Sequence, residues 1–145
     1  MKQFLVSNIA KIRRTKKTIL AIYLLLYVLW GIGMNAFGSY AEIAKFTYWW
    51  QIITCYVCYM IPISILLKDY DFFTQYAYGL VAMGILEFLG YALKTSYAYP
   101  NNILDQLFQP QNFSLGMALF FALYFPVGNL AVHWLHKKIF NSKKI

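Results

Sequence analysis

The chain has 145 residues, of which 61% are apolar, 20% are Phe, Trp or Tyr and only 12% are charged. Soluble domains carry roughly 25% charged residues, so this composition excludes a water-soluble globule, and its hydrophobicity excludes a disordered chain. The net charge is +8, yet of the Lys and Arg residues only Lys45, Lys68 and Lys94 lie between Thr18 and His136, which is the pattern of cytoplasmic tails beside membrane spans and not of a basic face for nucleic acid.

Residues 1–17 place Phe4, Leu5, Ile9 and Ile12 at near-helical spacing among basic residues, which predicts a short helix lying in the inner interface. Residues 18–38 carry no charge and are long enough to cross ~30 Å of hydrocarbon at ~1.5 Å per residue. That run is too long, and its basic lead too extended, for a cleaved signal peptide, so a retained anchor is expected. A second uncharged span covers 46–67 and ends at Lys68-Asp69; a third covers 73–93 and holds one acid, Glu87. The fourth, 113–135, is uncharged apart from a His133 proton.

Tyr40, Tyr48, Trp49 and Trp50 mark one membrane boundary and Trp134 the other, as interfacial aromatics do. Between Pro100 and Pro110, Ile103, Leu104, Leu107 and Phe108 recur at helical spacing. They predict a short amphipathic helix on the outer face of loop 94–112, either surface padding or a lid. Pro62 and Pro126 should kink their spans, freeing the carbonyls of Cys58 and Ala122. Gly31, Gly33, Gly79, Gly84, Gly90, Gly116 and the Ala118/Ala122 pair offer close helix contact. An even number of crossings and two basic tails give the expected architecture. It is all-α, a polytopic membrane protein forming one domain over 1–145, a four-transmembrane-helix antiparallel bundle, N-in and C-in. Loop 94–112 lies outside and tail 136–145 inside a bacterial inner (plasma) membrane with anionic headgroups.

Glu87 is the leading candidate for a site. A lone carboxylate inside a span costs several kcal/mol, so it should face protein or water. It would serve as a proton carrier, a cation site or the polar end of a lipophilic pocket; the structural alternative is a neutral acid hydrogen-bonded to another helix. If its helix runs to Ser96, Glu87 lies roughly 13 Å below the outer end. Depth matching then nominates Gln51, Thr54 and Cys55 on the second span, Tyr124 on the fourth, and Trp30 and Asn35 on the first. A cluster of Glu87, Gln51 and Tyr124 would satisfy the carboxyl without a cation. His133 and His136 have metal-ligand spacing, but two imidazoles do not make a zinc site; interfacial anchoring beside Trp134 and Lys137 is the ordinary reading, and Asn129, one turn above His133, is within reach as a hydrogen-bond partner.

Cys55-Tyr56-Val57-Cys58 resembles the pair near the second helix of the quinone-linked, four-span membrane proteins of the bacterial thiol oxidase family. That family relays oxidation through a second cysteine pair in a later loop, and residues 94–112 contain no Cys; packing thiols are the ordinary reading. Glu87-x-x-Gly90 with Lys94 and Ser96 resembles the first helix of small multidrug transporters, where the glutamate lies in the opening span of a shorter chain. No phosphate-binding loop, zinc-protease, nucleophile-elbow or dinucleotide motif is present, so no cofactor and no catalytic residue is named. Three classes remain. The first is a non-catalytic binding or accessory subunit holding a lipophilic ligand or a membrane partner, as a homo-oligomer or in a larger assembly. The second is a small oligomeric proton- or cation-coupled transporter or channel using Glu87. The third is an intramembrane enzyme acting on a lipid or isoprenoid.

Overall fold

A computed structural model of the chain describes residues 2–108 and 112–140; Pro110 and the tail residues Lys143 and Lys144 lie outside them. The protein is 80% helical. Its elements in chain order are α1 (Lys2–Arg13), α2 (Lys17–Tyr40), β1 (Ala44–Phe46), α3 (Trp50–Leu67), α4 (Phe72–Leu93), β2 (Ser96–Ala98), α5 (Ile103–Phe108), α6 (Phe113–Phe121) and α7 (Tyr124–Phe140). Among the described residues, α2, α3, α4 and the α6–α7 pair, Phe113–Phe140, are long and apolar enough to cross a membrane.

Local chemistry sets the helix ends. Asp71 caps α4: the Thr74 hydroxyl and the Thr74 backbone N–H both donate to its carboxylate, the latter at 3.1 Å. These bonds, the hydroxyl's first, hold the Asp71 carboxyl below the usual carboxylate range. At the other end Lys94 turns into the left-handed region at φ 52°, and the Thr95 N–H reaches back to the Gly90 carbonyl at 3.0 Å. Hence α4 stops at Leu93, short of Ser96. Asn102 opens α5, its Oδ1 accepting from Leu104 and Asp105 N–H groups at 2.9 and 3.0 Å.

Two spans are irregular beside their prolines. Residues Ile53–Met60 of α3 form a π-helical stretch, in which the Ile61 N–H bonds to the Tyr56 carbonyl five residues back. Pro62, just downstream, lacks the N–H that an α-helical ladder would need. The fourth span breaks at Ala122–Leu123, four residues before Pro126, and resumes as the Val127 N–H reaches the Leu123 carbonyl at 3.1 Å. The kinks expected at Pro62 and Pro126 are thus a widened helix and a helix break.

The second span begins later than residue 46. Phe46 pairs with Ser96, Lys45 with Tyr97 and Ala44 with Ala98, so β1 and β2 form an antiparallel ribbon where open loops were expected. Three-residue strands carry too little alternation to be read beforehand.

Side chains from all four spans share one core that includes Tyr27, Tyr56, Ile65, Met83 and Phe125. Since lipid is as apolar as these side chains, close packing and polar contacts hold the helices together. A Cβ on Gly79 would lie 3.0 Å from the Ala122 carbonyl freed by Pro126, and one on Gly31 would lie 2.9 Å from Ile52 and the Tyr56 ring. Gly33 and Gly84 meet nothing within 4 Å, so they make no close contact within the chain.

A polar clasp joins four helices near the Lys68–Asp71 turn. The Tyr23 hydroxyl donates to Asn129 Oδ1, and Asn129 Nδ2 donates to the Ser64 carbonyl at 3.1 Å and to Gln75 Oε1 at 2.7 Å. Gln75 Nε2 then donates to the Tyr70 carbonyl at 2.8 Å, while the hydroxyls of Tyr27 and Ser64 meet at 2.6 Å. Asn129 is therefore not the partner of His133, whose side chain is exposed. On the same end Lys11 Nζ pairs with Asp69 at 2.8 Å and donates to the Leu66 carbonyl at 3.2 Å, tying α1 to the end of α3. That ion pair is open to solvent and worth at most about 1 kcal/mol.

Candidate ligand cavity

Opposite the clasp, toward the ribbon, the helices separate around a cavity of about 790 Å³. That is the size of a small-molecule site. Its walls come from the last turns of α2, the first half of α3, the last half of α4 and α6, with β1 and Leu104 of α5 at the rim. The lining is overwhelmingly apolar: Met34, Met60, Met83, Phe120 and Phe121 face it, and Glu87 is its one carboxylate.

Glu87 lies six residues before Leu93, about 9 Å from the helix end, which is nearer than a helix running to Ser96 implies. Its side chain is half-buried, and among the described residues it makes no hydrogen bond and no ion pair. The one ammonium among the lining residues is that of Lys45. It makes no ion pair with Glu87 and sits over the rings of Tyr97 and Tyr99 at 5.1 and 5.4 Å.

The residues nominated by depth are divided by the fold. Asn35, Gln51, Thr54 and Cys55 line the cavity with Glu87; Trp30 and Tyr124 do not. Gln51 does not satisfy the carboxyl. Its Oε1 accepts from the Tyr48 N–H at 2.7 Å and its Nε2 donates to the Thr95 carbonyl. It thereby fastens the end of α4 to the start of α3 and holds the cavity wall. Thr54 donates to the Gln51 carbonyl at 3.1 Å, and Asn35 Oδ1 accepts from the Phe46 N–H at 2.8 Å, binding α2 to the ribbon. These three are braces around Glu87 and not partners of it.

Tyr124 lies behind the wall, edge-on to Trp30 at 5.5 Å and to Phe121 at 4.9 Å. Its hydroxyl is buried and outside normal hydrogen-bond geometry, with Trp30 and Tyr56 as its polar neighbours. Trp30 is 51% exposed on the outer surface of α2. The expected Glu87–Gln51–Tyr124 cluster therefore does not form.

The π-helical stretch explains one residue that depth matching passed over. Its wider turn brings Thr54, Cys55 and Tyr56 onto the cavity side together. It also separates the cysteines: Cys55 lines the cavity, Cys58 is exposed, and both are free thiols. The boundary aromatics divide likewise. Trp50 lines the cavity and stacks on Tyr48 at 5.9 Å, whereas Trp49 does not line it and is the more exposed of the two. No family model, no curated protein and no solved structure matches this chain.

Proposed function

We propose that this chain is an integral membrane protein that holds a lipophilic ligand within a four-helix antiparallel bundle, the ligand's polar end at Glu87. Both termini face the cytoplasm in this reading, because the basic residues gather at the tails and near the Lys68–Asp71 turn. The observation that carries it is the Glu87 carboxyl, left without any protein partner at the wall of an apolar cavity. An unmatched carboxyl in such surroundings is costly, and a bound molecule presenting a donor or a cation would remove the cost. The cavity supplies apolar area for the rest of that molecule.

The test is purification in mild detergent followed by mass spectrometry of every small molecule and polypeptide that accompanies the protein. A stoichiometric lipophilic compound, lost in Glu87→Ala and retained in Asn112→Ala, is the expected result. Purified protein that carries no such compound, and that does not quench a cavity-sized apolar fluorophore through Trp50, defeats the reading. A second reading, a small carrier, draws support from the two helix irregularities, since Ile53–Met60 and the end of α6 both border the cavity. For a carrier, Glu87→Gln abolishes pH-dependent uptake into vesicles while the protein stays folded.

A further inference from the structure

A second cavity, of about 450 Å³, lies at the opposite end, between the start of α2, the Lys68–Asp71 turn and the second half of α7. Its character differs from that of the first. Lys68, His133 and His136 line it together with Asp69, and the buried amides of Gln75 and Asn129 form its floor. Ile19, Phe72 and Leu130 supply an apolar side wall.

The charges leave a positive remainder. Asp69 is already matched by Lys11 at 2.8 Å, whereas Lys68 has no ion pair and His133 no hydrogen bond among the described residues. No group of three or more His, Cys, Asp or Glu side chains among the described residues is arranged to hold a metal ion, so the imidazoles face a different kind of guest. An ammonium and two imidazole N–H donors beside an apolar wall match a phosphate that carries acyl chains.

We propose that this cavity is a binding site for the phosphate headgroup of an anionic phospholipid, with Lys68 as the charge and His133 and His136 as donors. The acyl chains would run along Ile19 and Leu130 into the hydrocarbon. The proposal uses the placement of this end at the inner face of a bilayer but is independent of any ligand at Glu87. It is also narrower than the general attraction of basic tails to an acidic leaflet, because it assigns one lipid to one cavity.

Native mass spectrometry of the delipidated protein in neutral detergent, with added phosphatidylglycerol or phosphatidylcholine, tests it. One phosphatidylglycerol per chain should bind at least tenfold tighter than phosphatidylcholine. The triple variant Lys68→Gln/His133→Gln/His136→Gln should lose that preference, and Lys68→Arg should keep it. Because none of these three side chains makes a hydrogen bond or ion pair among the described residues, and the ring contact of His136 is with Phe140 on the same helix, the melting temperature of the triple variant should match that of the wild type, and this is measured alongside. Equal binding of the two lipids overturns the proposal, as does an equal loss in Lys16→Gln/Lys17→Gln, which would mark diffuse attraction. Displacement of phosphatidylglycerol by millimolar inorganic phosphate overturns the lipid source in favour of a free anion. Stripping of the chain from vesicles by alkaline carbonate would instead defeat the membrane placement itself.

Discussion

The clasp and the Glu87 wall of the cavity treat polar side chains in opposite ways. Near the Lys68–Asp71 turn, Tyr23, Tyr27, Ser64, Gln75 and Asn129 come from four helices and every one is hydrogen-bonded to another part of the chain. Near the ribbon the helices spread apart, and Glu87 faces a cavity with no such partner. The first arrangement closes a fold; the second leaves a valence for something else. Burial alone does not separate a structural polar group from a functional one.

The sharpest way to break this contrast is at the hub of the clasp. Asn129→Leu takes a partner from the Tyr23 hydroxyl, the Ser64 carbonyl and the Gln75 Oε1 at once, and should destabilise the protein by about 2–3 kcal/mol. Reversible unfolding in mixed micelles reads that loss. A neutral result would mean that the clasp is incidental. Glu87→Met should move the other way, stabilising the ligand-free protein by about 1 kcal/mol, because an unpartnered carboxyl is exchanged for an apolar group of similar volume. A loss of stability there would reveal a partner for Glu87 within the chain. Tyr124→Phe removes a buried hydroxyl whose contacts with Trp30 and Tyr56 fall outside normal hydrogen-bond geometry, so a change within about 0.5 kcal/mol is expected by the same measurement.

The smallest effect belongs to the cap at Asp71. Its carboxyl is held below the usual range, so the cap contributes stability above the ordinary carboxylate value of ~3.9 and loses it as pH falls through the lower folded value. The melting temperature of wild type should exceed that of Asp71→Ala at pH 6, and the gap should close toward pH 3. A gap that widens on acidification would contradict the assigned hydrogen bonds.

The sequence made the spans legible because each is an uncharged run bounded by charge, and Lys68-Asp69 marked the turn. Pro62 and Pro126 announced irregular backbone but not its form, since a missing N–H can be absorbed by a wider helix or by a break. Glu87 was legible as the only acid inside a span, but its surroundings were not. Depth counted from the ribbon end gathered Gln51, Thr54 and Asn35 correctly around it, yet rise per residue says nothing about which way a side chain turns or what it bonds. The same count made from the Lys68–Asp71 turn would have aligned Ser64, Gln75 and Asn129. Individually these looked like ordinary polar interruptions, and the tyrosines Tyr23 and Tyr27 passed for hydrophobic filling. The ribbon rests on pairing between segments some fifty residues apart in sequence, which no local pattern records.

The widened stretch Ile53–Met60 has a consequence for rotational phase. Residues before it and after it belong to two angular frames, offset by the one surplus position that a five-residue hydrogen-bond step accommodates. Deleting that surplus residue would let α-helical spacing return with the downstream residues close to their present phase, whereas forcing α-helical spacing on the present sequence would swing everything downstream by about 100° about the axis. Ser64 would then turn away from Tyr27 and Asn129 while Gln51 stayed where it is. The irregular segment is thus the adjusting joint that lets one helix serve both ends of the protein.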